Sequence, residues 1–156
     1  MANIAVFPGS FDPITKGHEN IVKRALPLFD KIIIAVGVNS QKKYLFPLDQ
    51  RLTWIKNTFN FEQKVTVETY EGLTVRFCLE KDARFIIRGL RNGSDFEFEK
   101  GIAQMNREMV SGIETVFLMS TPELSAINST IVRDIIRNGG DVSKFIPNAI
   151  EINGDF

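Results

Sequence analysis

The residue types that could do chemistry gather first between Phe7 and His18. This stretch reads Phe-Pro-Gly-Ser-Phe-Asp-Pro-Ile-Thr-Lys-Gly-His and holds the chain's single histidine. It follows directly on the apolar run Ile4-Ala5-Val6, so it reads as a strand that breaks at Pro8-Gly9 and restarts as a helix near Gly17. Backbone N–H groups at such a break point into a crevice with the positive end of a helix dipole behind them, which suits phosphate. Gly9 removes a Cβ where a phosphate would approach the backbone, and Pro13 fixes φ and gives up its N–H. Gly17 lets the helix start lie close to a nucleotide, and His18 on the first turn can aim a ring N–H at a phosphoryl oxygen.

Three further constellations carry charge or hydroxyls. Ser40-Gln41-Lys42-Lys43 offers two ammonium groups that could neutralise phosphate or simply form a solvated basic loop. Arg88-Gly89-Leu90-Arg91 sets two guanidinium forks around a glycine, able to clamp phosphates from two directions or to pair with the acidic residues Asp95, Glu97 and Glu99 that follow. Glu99 could accept from an adenine amino group or a ribose hydroxyl, and a helix-face salt bridge is an equal alternative. In Leu124-Ser125-Ala126-Ile127-Asn128-Ser129-Thr130, with Arg133 one turn further on, the polar side chains could cap a helix or form a second phosphate cradle. Two helix N-termini at one crevice would suit a triphosphate.

These groups need a frame. Ile4 to Phe7, Lys31 to Val38, Val65 to Glu68, Phe85 to Arg88 and Thr115 to Met119 are β-branched and aromatic runs with little alternation, expected as strands buried on both faces. Helical spacing lies between them: His18 to Phe29, Asp49 to Phe59, Thr74 to Lys81, Ser94 to Met109 and Ser129 to Asn138. The alternation predicts a Rossmann-like, doubly wound α/β fold with a five-stranded parallel sheet and helices on both faces. Pro27 should kink or shorten the first helix, and the tail beyond Gly139-Gly140 should be a short helix or irregular. Ligands of such sheets bind outside the carboxyl ends of the strands. The loops Pro8 to Gly17, Asn39 to Pro47, Tyr70 to Thr74, Gly89 to Asp95 and Ser120 to Thr130 are therefore the expected site.

Composition narrows the partners. With 156 residues the chain is expected to be one domain, 1–156. Nineteen basic residues balance nineteen acidic ones, so no global field would recruit nucleic acid or an anionic membrane. Cys78, the lone cysteine, sits among apolar neighbours and suits a reducing compartment. No signal-like or membrane-spanning run is seen, which points to a soluble, unprocessed, cytoplasmic protein. The lack of a Gly-x-Gly-x-x-Gly after the first strand argues against a dinucleotide dehydrogenase.

Gly9-Ser10-Phe11-Asp12-Pro13 with Thr15-Lys16-Gly17-His18 resembles the signature of the nucleotidyltransferases of the Thr/His-x-Gly-His superfamily. Ile127 to Arg133 is similar to their Ile-Ser-Ser/Thr-Thr/Ser-x-x-Arg element, with Asn128 where many members carry Ser. Over nearly the whole chain the resemblance narrows to the bacterial phosphopantetheine adenylyltransferase family. It is carried by Thr15 in place of the first histidine, Lys42-Lys43, Arg88-Gly89-Leu90-Arg91, Asp95-Phe96-Glu97-Phe98-Glu99, Met105-Asn106-Arg107 and Val116-Phe117-Leu118-Met119. The resemblance implies transfer of AMP from ATP to 4′-phosphopantetheine, giving dephospho-coenzyme A and pyrophosphate, with Mg²⁺ on the ATP phosphates and no metal held by protein side chains. It implies His18 as transition-state stabiliser, with Lys42 and Arg91 as further catalytic groups. ATP would meet Ser10, Phe11, His18, Gly89, Leu90, Arg91, Glu99 and the run Leu124, Ser125, Ala126, Ile127, Asn128, Ser129, Thr130. Phosphopantetheine would meet Ser10, Lys42, Leu73, Thr74, Arg88 and Asn106.

Three positions depart mildly from the family pattern: Ser10 where Thr is common, Phe98 where Tyr is common, and Thr74 where an apolar residue is common, which favours backbone contact at Thr74. A phosphate monoester ionised at neutral pH needs no general base, so direct in-line attack without a covalent intermediate is the expected route. The thirteen phenylalanines point to a buried interface, and the family resemblance implies a homohexamer and feedback inhibition by coenzyme A. The competing readings are a related transferase using CTP, nicotinamide mononucleotide or glycerol phosphate, and a non-catalytic nucleotide-binding regulator.

Overall fold

Five strands, β1 (Ile4–Gly9), β2 (Lys31–Gly37), β3 (Val65–Tyr70), β4 (Phe85–Leu90) and β5 (Glu114–Met119), align in one parallel sheet in the order β3-β2-β1-β4-β5. The computed structural model describes residues 1–153. Helices α1 (Lys16–Ala25), α2 (Leu48–Thr58), α3 (Thr74–Glu80), α4 (Gly93–Met109) and α5 (Ser129–Arg137) connect and flank the strands. The predicted doubly wound α/β fold is the one observed. Pro27 lies in a 3₁₀ turn, Leu26–Leu28, so α1 stops at Ala25, and the segment after α5 is irregular.

Two apolar clusters sandwich the sheet. On one face Ile21, Val22 and Ala25 of α1, Trp54 and Ile55 of α2, and Val132 and Ile136 of α5 cover Phe7, Ile32, Ile34 and Ile87. On the other, Val75, Phe77 and Cys78 of α3 cover Val6, Ile33, Ala35 and Ile86, and Phe96 of α4 meets Phe117 of β5 edge-on at 5.8 Å. Burial pushes the Cys78 thiol up to about 11, so it serves as an inert core side chain. Only the central strands are buried on both faces. β3 and β5 are half-exposed, contrary to the uniform burial expected, because each is a sheet edge with one strand neighbour.

Two further differences concern the first turn. β1 does not break at Pro8-Gly9: both residues stay in the strand, paired with Ala35 and Val36 of β2. The C-terminal segment also folds back to the front of α1. Ile146 and Ile150 are buried in the first cluster, and the Phe145 carbonyl accepts from the Lys16 amide at 2.9 Å. Gly140 makes this return possible. A Cβ there would lie 2.4 Å from Ile135 Cγ2, a stiff β-branched side chain in α5.

Gly140→Ala should therefore lower unfolding free energy by about 1–3 kcal/mol. Gly101→Ala, inside exposed α4 with nothing within 4 Å of the new Cβ, should be neutral or stabilising by up to about 1 kcal/mol. Denaturant unfolding of the pair checks both, and equal effects would contradict the steric account.

Candidate active site

The crevice starts where a strand ladder stops. β1 pairs with β2 along its whole length, from Ile4↔Lys31 to Gly9↔Val36, but with β4 only at Ala5↔Phe85 and Val6↔Ile86. Beyond Val6 the two central strands part. Pro8 has no N–H to offer, and its carbonyl accepts from Arg88 Nη1 at 3.0 Å, so a guanidinium fills the gap where a ladder bond would have been. Two cavities, of about 680 and 370 Å³, open at this gap. Pro8, Gly9, Ser10, Lys42, Arg88 and Glu99 line both and form their common wall.

His18 opens only onto the smaller cavity. It is the third residue of α1, in a capping box with Thr15: its amide donates to Thr15 Oγ1 at 3.4 Å while its ring Nδ1 accepts from the Thr15 amide at 3.0 Å. An Nδ1 that accepts a backbone proton carries none of its own, so the neutral ring bears its hydrogen on Nε2. Phe11 lies 4.9 Å from the imidazole centroid and Phe7 6.2 Å. Burial against these rings, reinforced by the Arg88 guanidinium, pulls the histidine pKa down to about 4. At neutral pH His18 is an uncharged donor with its tautomer set by the backbone.

The cations at the site are individually tethered. Arg88 forms a bidentate pair with Glu99, Nη2–Oε1 at 2.7 Å and Nε–Oε2 at 3.0 Å, and Glu99 is buried. Glu99 is thus a helix-face ion-pair partner, the second of the two roles its sequence position allowed. Arg91 donates its backbone N–H, Nε and Nη2 to Asp95, and this hydrogen bonding, ahead of any other cause, holds the Asp95 carboxyl below its usual range. Lys42 Nζ reaches across from the β2–α2 loop to Ser10 Oγ at 3.0 Å. At the start of α5 the Asn128 side chain caps the Ile131 amide and Ser129 Oγ donates to the Pro13 carbonyl, while the first-turn amides of Ser129 and Thr130 lie beyond any intrahelical acceptor. The matching end of α1 is less open than expected, since Phe145 and Thr15 take the Lys16 and His18 amides.

The structure gathers most of the expected residues and leaves some out. Ser10, Phe11, His18, Gly89, Arg91, Glu99, Ile127, Asn128, Ser129 and Thr130 line the smaller cavity. Ser10, Lys42, Thr74, Arg88 and Asn106 line the larger. Leu90 is buried, exposed Leu73 caps α3 outside the cavity wall, and Leu124, Ser125 and Ala126 stand outside the smaller cavity on the 3₁₀ turn and loop before α5. The glycines also have packing reasons that the sequence did not announce. A Cβ on Gly9 would meet the Phe11 ring at 3.0 Å, on Gly17 the Thr15 hydroxyl at 3.3 Å, and on Gly89 Ile21 Cγ1 at 3.1 Å, so each lets the walls of the site close on themselves. Tyr44, Tyr70 and Glu71 line the larger cavity without having been singled out, as do Ile102 and Ala103, whose helical spacing to Asn106 was the available signal.

Among the described residues no group of three His, Cys, Asp or Glu side chains could hold a metal ion. Asp12, Asp95 and Glu99, the carboxylates of the smaller cavity, are each bound by N–H donors. Such a donor set fits a divalent cation that arrives on phosphate oxygens and water rather than one held by carboxylates. No described helix is long and apolar enough to cross a membrane.

Comparison with known proteins gives a consistent picture. Residues 6–135 match the cytidylyltransferase-like family. The chain is 57% identical over 148 residues to the phosphopantetheine adenylyltransferase of Flavobacterium psychrophilum, covering 95% of this chain and 97% of the relative. It is 47% identical over 150 residues to that of Leptospira biflexa, covering 96% and 94%. In fold it resembles a bifunctional NMN adenylyltransferase/ADP ribose pyrophosphatase from Francisella tularensis, with a TM-score of 0.74 at 18% identity over 96% of this chain and 46% of that one.

The lone histidine makes its state directly measurable. An NMR titration of its imidazole should show the Nε2–H tautomer at neutral pH and an inflection near 4, whereas an inflection at the ordinary 6.5 would overturn the assignment. Since the folded value is depressed, the unfolded chain binds the extra proton between about pH 4 and 6.5, so His18 lowers stability as pH falls through that window and has no effect above it.

Proposed function

The chain belongs to the phosphopantetheine adenylyltransferases, enzymes of coenzyme A biosynthesis within the cytidylyltransferase-like family, and from that premise we propose how its two cavities divide the reaction. ATP occupies the smaller cavity and 4′-phosphopantetheine the larger. The observation that carries this reading is the common wall: Ser10, Lys42 and Arg88 face both spaces, while His18 and Arg91 face only one. The acceptor phosphate rests on Lys42, Arg88 and Ser10, with its pantetheine arm toward Thr74, Ile102 and Asn106.

An oxygen of that phosphate attacks the α-phosphorus of ATP in line. The new P–O bond forms as the bond to the β-phosphate bridging oxygen breaks, and pyrophosphate leaves with the electron pair. The acceptor oxygen is already ionised at neutral pH, so no base is required. The Nε2–H of His18 donates to an α-phosphoryl oxygen as charge builds there, and its depressed pKa keeps it a neutral donor throughout the physiological range. Arg91, with the Ser129 and Thr130 amides at the positive end of α5, holds the departing phosphates. Mg²⁺ carried on the ATP phosphates supplies further neutralisation of the leaving group.

The same reading includes a cytosolic homohexamer that coenzyme A inhibits. Exposed Phe98, Ile102, Met105 and Met109 form an apolar stripe along α4, the kind of surface a subunit contact covers, and Ile102 joins it to the acceptor cavity. Coenzyme A carries both a pantetheine arm and a nucleotide diphosphate, so it would compete for the two cavities together.

His18→Ala should leave folding and ATP binding largely intact and lower kcat by about 10² to 10³; unchanged turnover would remove its role. Lys42→Ala should raise KM for 4′-phosphopantetheine by about tenfold or more while KM for ATP stays within about twofold, as expected for loss of one charge-assisted contact to the acceptor. Pyrophosphate release should require ATP rather than CTP.

A further inference from the structure

Arg51 lies on α2, outside both cavities, and is 3% exposed. Its Nη1 donates to the Ser10 carbonyl at 2.7 Å, its Nε donates to the Phe46 carbonyl at 3.0 Å, and its guanidinium stacks on Tyr44 at 4.1 Å. Asp12, also 3% exposed, faces the same junction: its carboxylate accepts from the Leu45 amide at 2.8 Å and the Phe46 amide at 2.9 Å. A buried fork and a buried carboxylate thus stitch two loops separated by over thirty residues. One carries Ser10 and the other carries Lys42, and neither has strand or helix hydrogen bonds at that point.

We propose that Arg51, braced by Asp12 and Tyr44, is a positioning residue that sets the distance between Ser10 and Lys42 and so the seat of the acceptor phosphate. It touches neither substrate. A guanidinium suits the task because its planar fork reaches two carbonyls at once while its face lies on an aromatic ring, which an ammonium does not do. The alternative is that Arg51 and Asp12 hold the two loops together with no effect on the acceptor site. The inference rests on the reading that Lys42 and Ser10 hold the acceptor phosphate.

The test measures KM for both substrates, kcat and Tm for Arg51→Met and Arg51→Lys, alone and with Lys42→Ala. Phe59→Leu, in the core at the far end of α2, shows what lost stability alone does to these constants. If Arg51 positions the pair, Arg51→Met raises KM for 4′-phosphopantetheine about tenfold with KM for ATP nearly unchanged, and Arg51→Lys recovers part of the loss. In the Lys42→Ala background, removing Arg51 then adds little, because its effect passes through Lys42. A drop in Tm with both KM values unchanged at a temperature where the variant is folded overturns the proposal, as does a full, additive KM increase in the double variant. If Arg51→Met does not fold, Arg51→Lys and the charge-neutral double variant Asp12→Asn/Arg51→Met carry the same comparison. Should Lys42→Ala itself leave the acceptor KM unchanged, the placement of the phosphate fails. Should Lys42→Ala shift it and the Arg51 variants not, the positioning role alone fails.

Discussion

The site exists because β1 and β4 stop pairing after Val6 and Ile86. A parallel sheet normally continues its ladder until a strand ends, and here β1 does continue, but only on its β2 side. Pro8 supplies no N–H to the β4 side and its carbonyl turns to Arg88 instead. One side chain therefore replaces the ladder, wedging two central strands apart while keeping their separation defined. Everything that converges on the gap does so from a carboxyl end: the loop after β1 with Ser10 and the start of α1 with His18, the loop after β2 with Lys42, the end of β4 with Arg88 and Arg91 just beyond it, and the loop after β5 leading to Ser129.

The wedge is itself a half-buried ion pair, and its energetics explain its form. Arg88 keeps 33% of its side chain exposed and Glu99 10%, so both give up part of their hydration, and two parallel hydrogen bonds between them offset that cost. Arg91 with Asp95 repeats the arrangement one turn away. Compensation has a consequence for a chain of zero net charge that must hold two polyanions. Its arginines act as oriented donors more than as bare positive charges, and the least compensated cation at the common wall is Lys42, whose partner is a hydroxyl. The attraction for phosphate is thereby concentrated at the point where the two cavities meet. The proximity of Arg88 adds to burial in keeping the proton off His18, so the wedge that opens the crevice also reinforces the neutral state of the histidine.

How much of this could be read beforehand follows from the range of the forces involved. The five strands were legible because their apolar runs are local, and the place of His18 on the first helical turn was legible because the strand, the loop and the helix start follow one another within twelve residues. Glu99 was left with two roles because its partner sits eleven residues away on a different element, and only the docking of α4 against β4 decides between them. The link that Asp12 and Arg51 make between two loops was not legible for the same reason: Asp12 reaches 33 residues to Leu45 and Arg51 reaches 41 to Ser10, and nothing local distinguishes a turn aspartate or a helical arginine that is buried from one that is not. A glycine in a phosphate motif reads as room for a ligand, and in the fold Gly9 and Gly89 have a packing reason as well, since their neighbours are Phe11 and Ile21 of the protein itself.

That packing bears on how the site is built. Because Gly9 and Gly89 admit the Phe11 ring and α1, the walls are in contact before any ligand arrives: Phe11 lies against His18, His18 is tied to Thr15, and Ile21 lies on β4 beside Arg88. A transition-state donor is useful to the extent that it needs no reorganisation when charge appears. In this chain the imidazole is oriented by a backbone amide on one side and by an aromatic ring on its face, leaving Nε2 to be offered to the cavity. The lone histidine is thus held in one tautomer by contacts that involve no substrate.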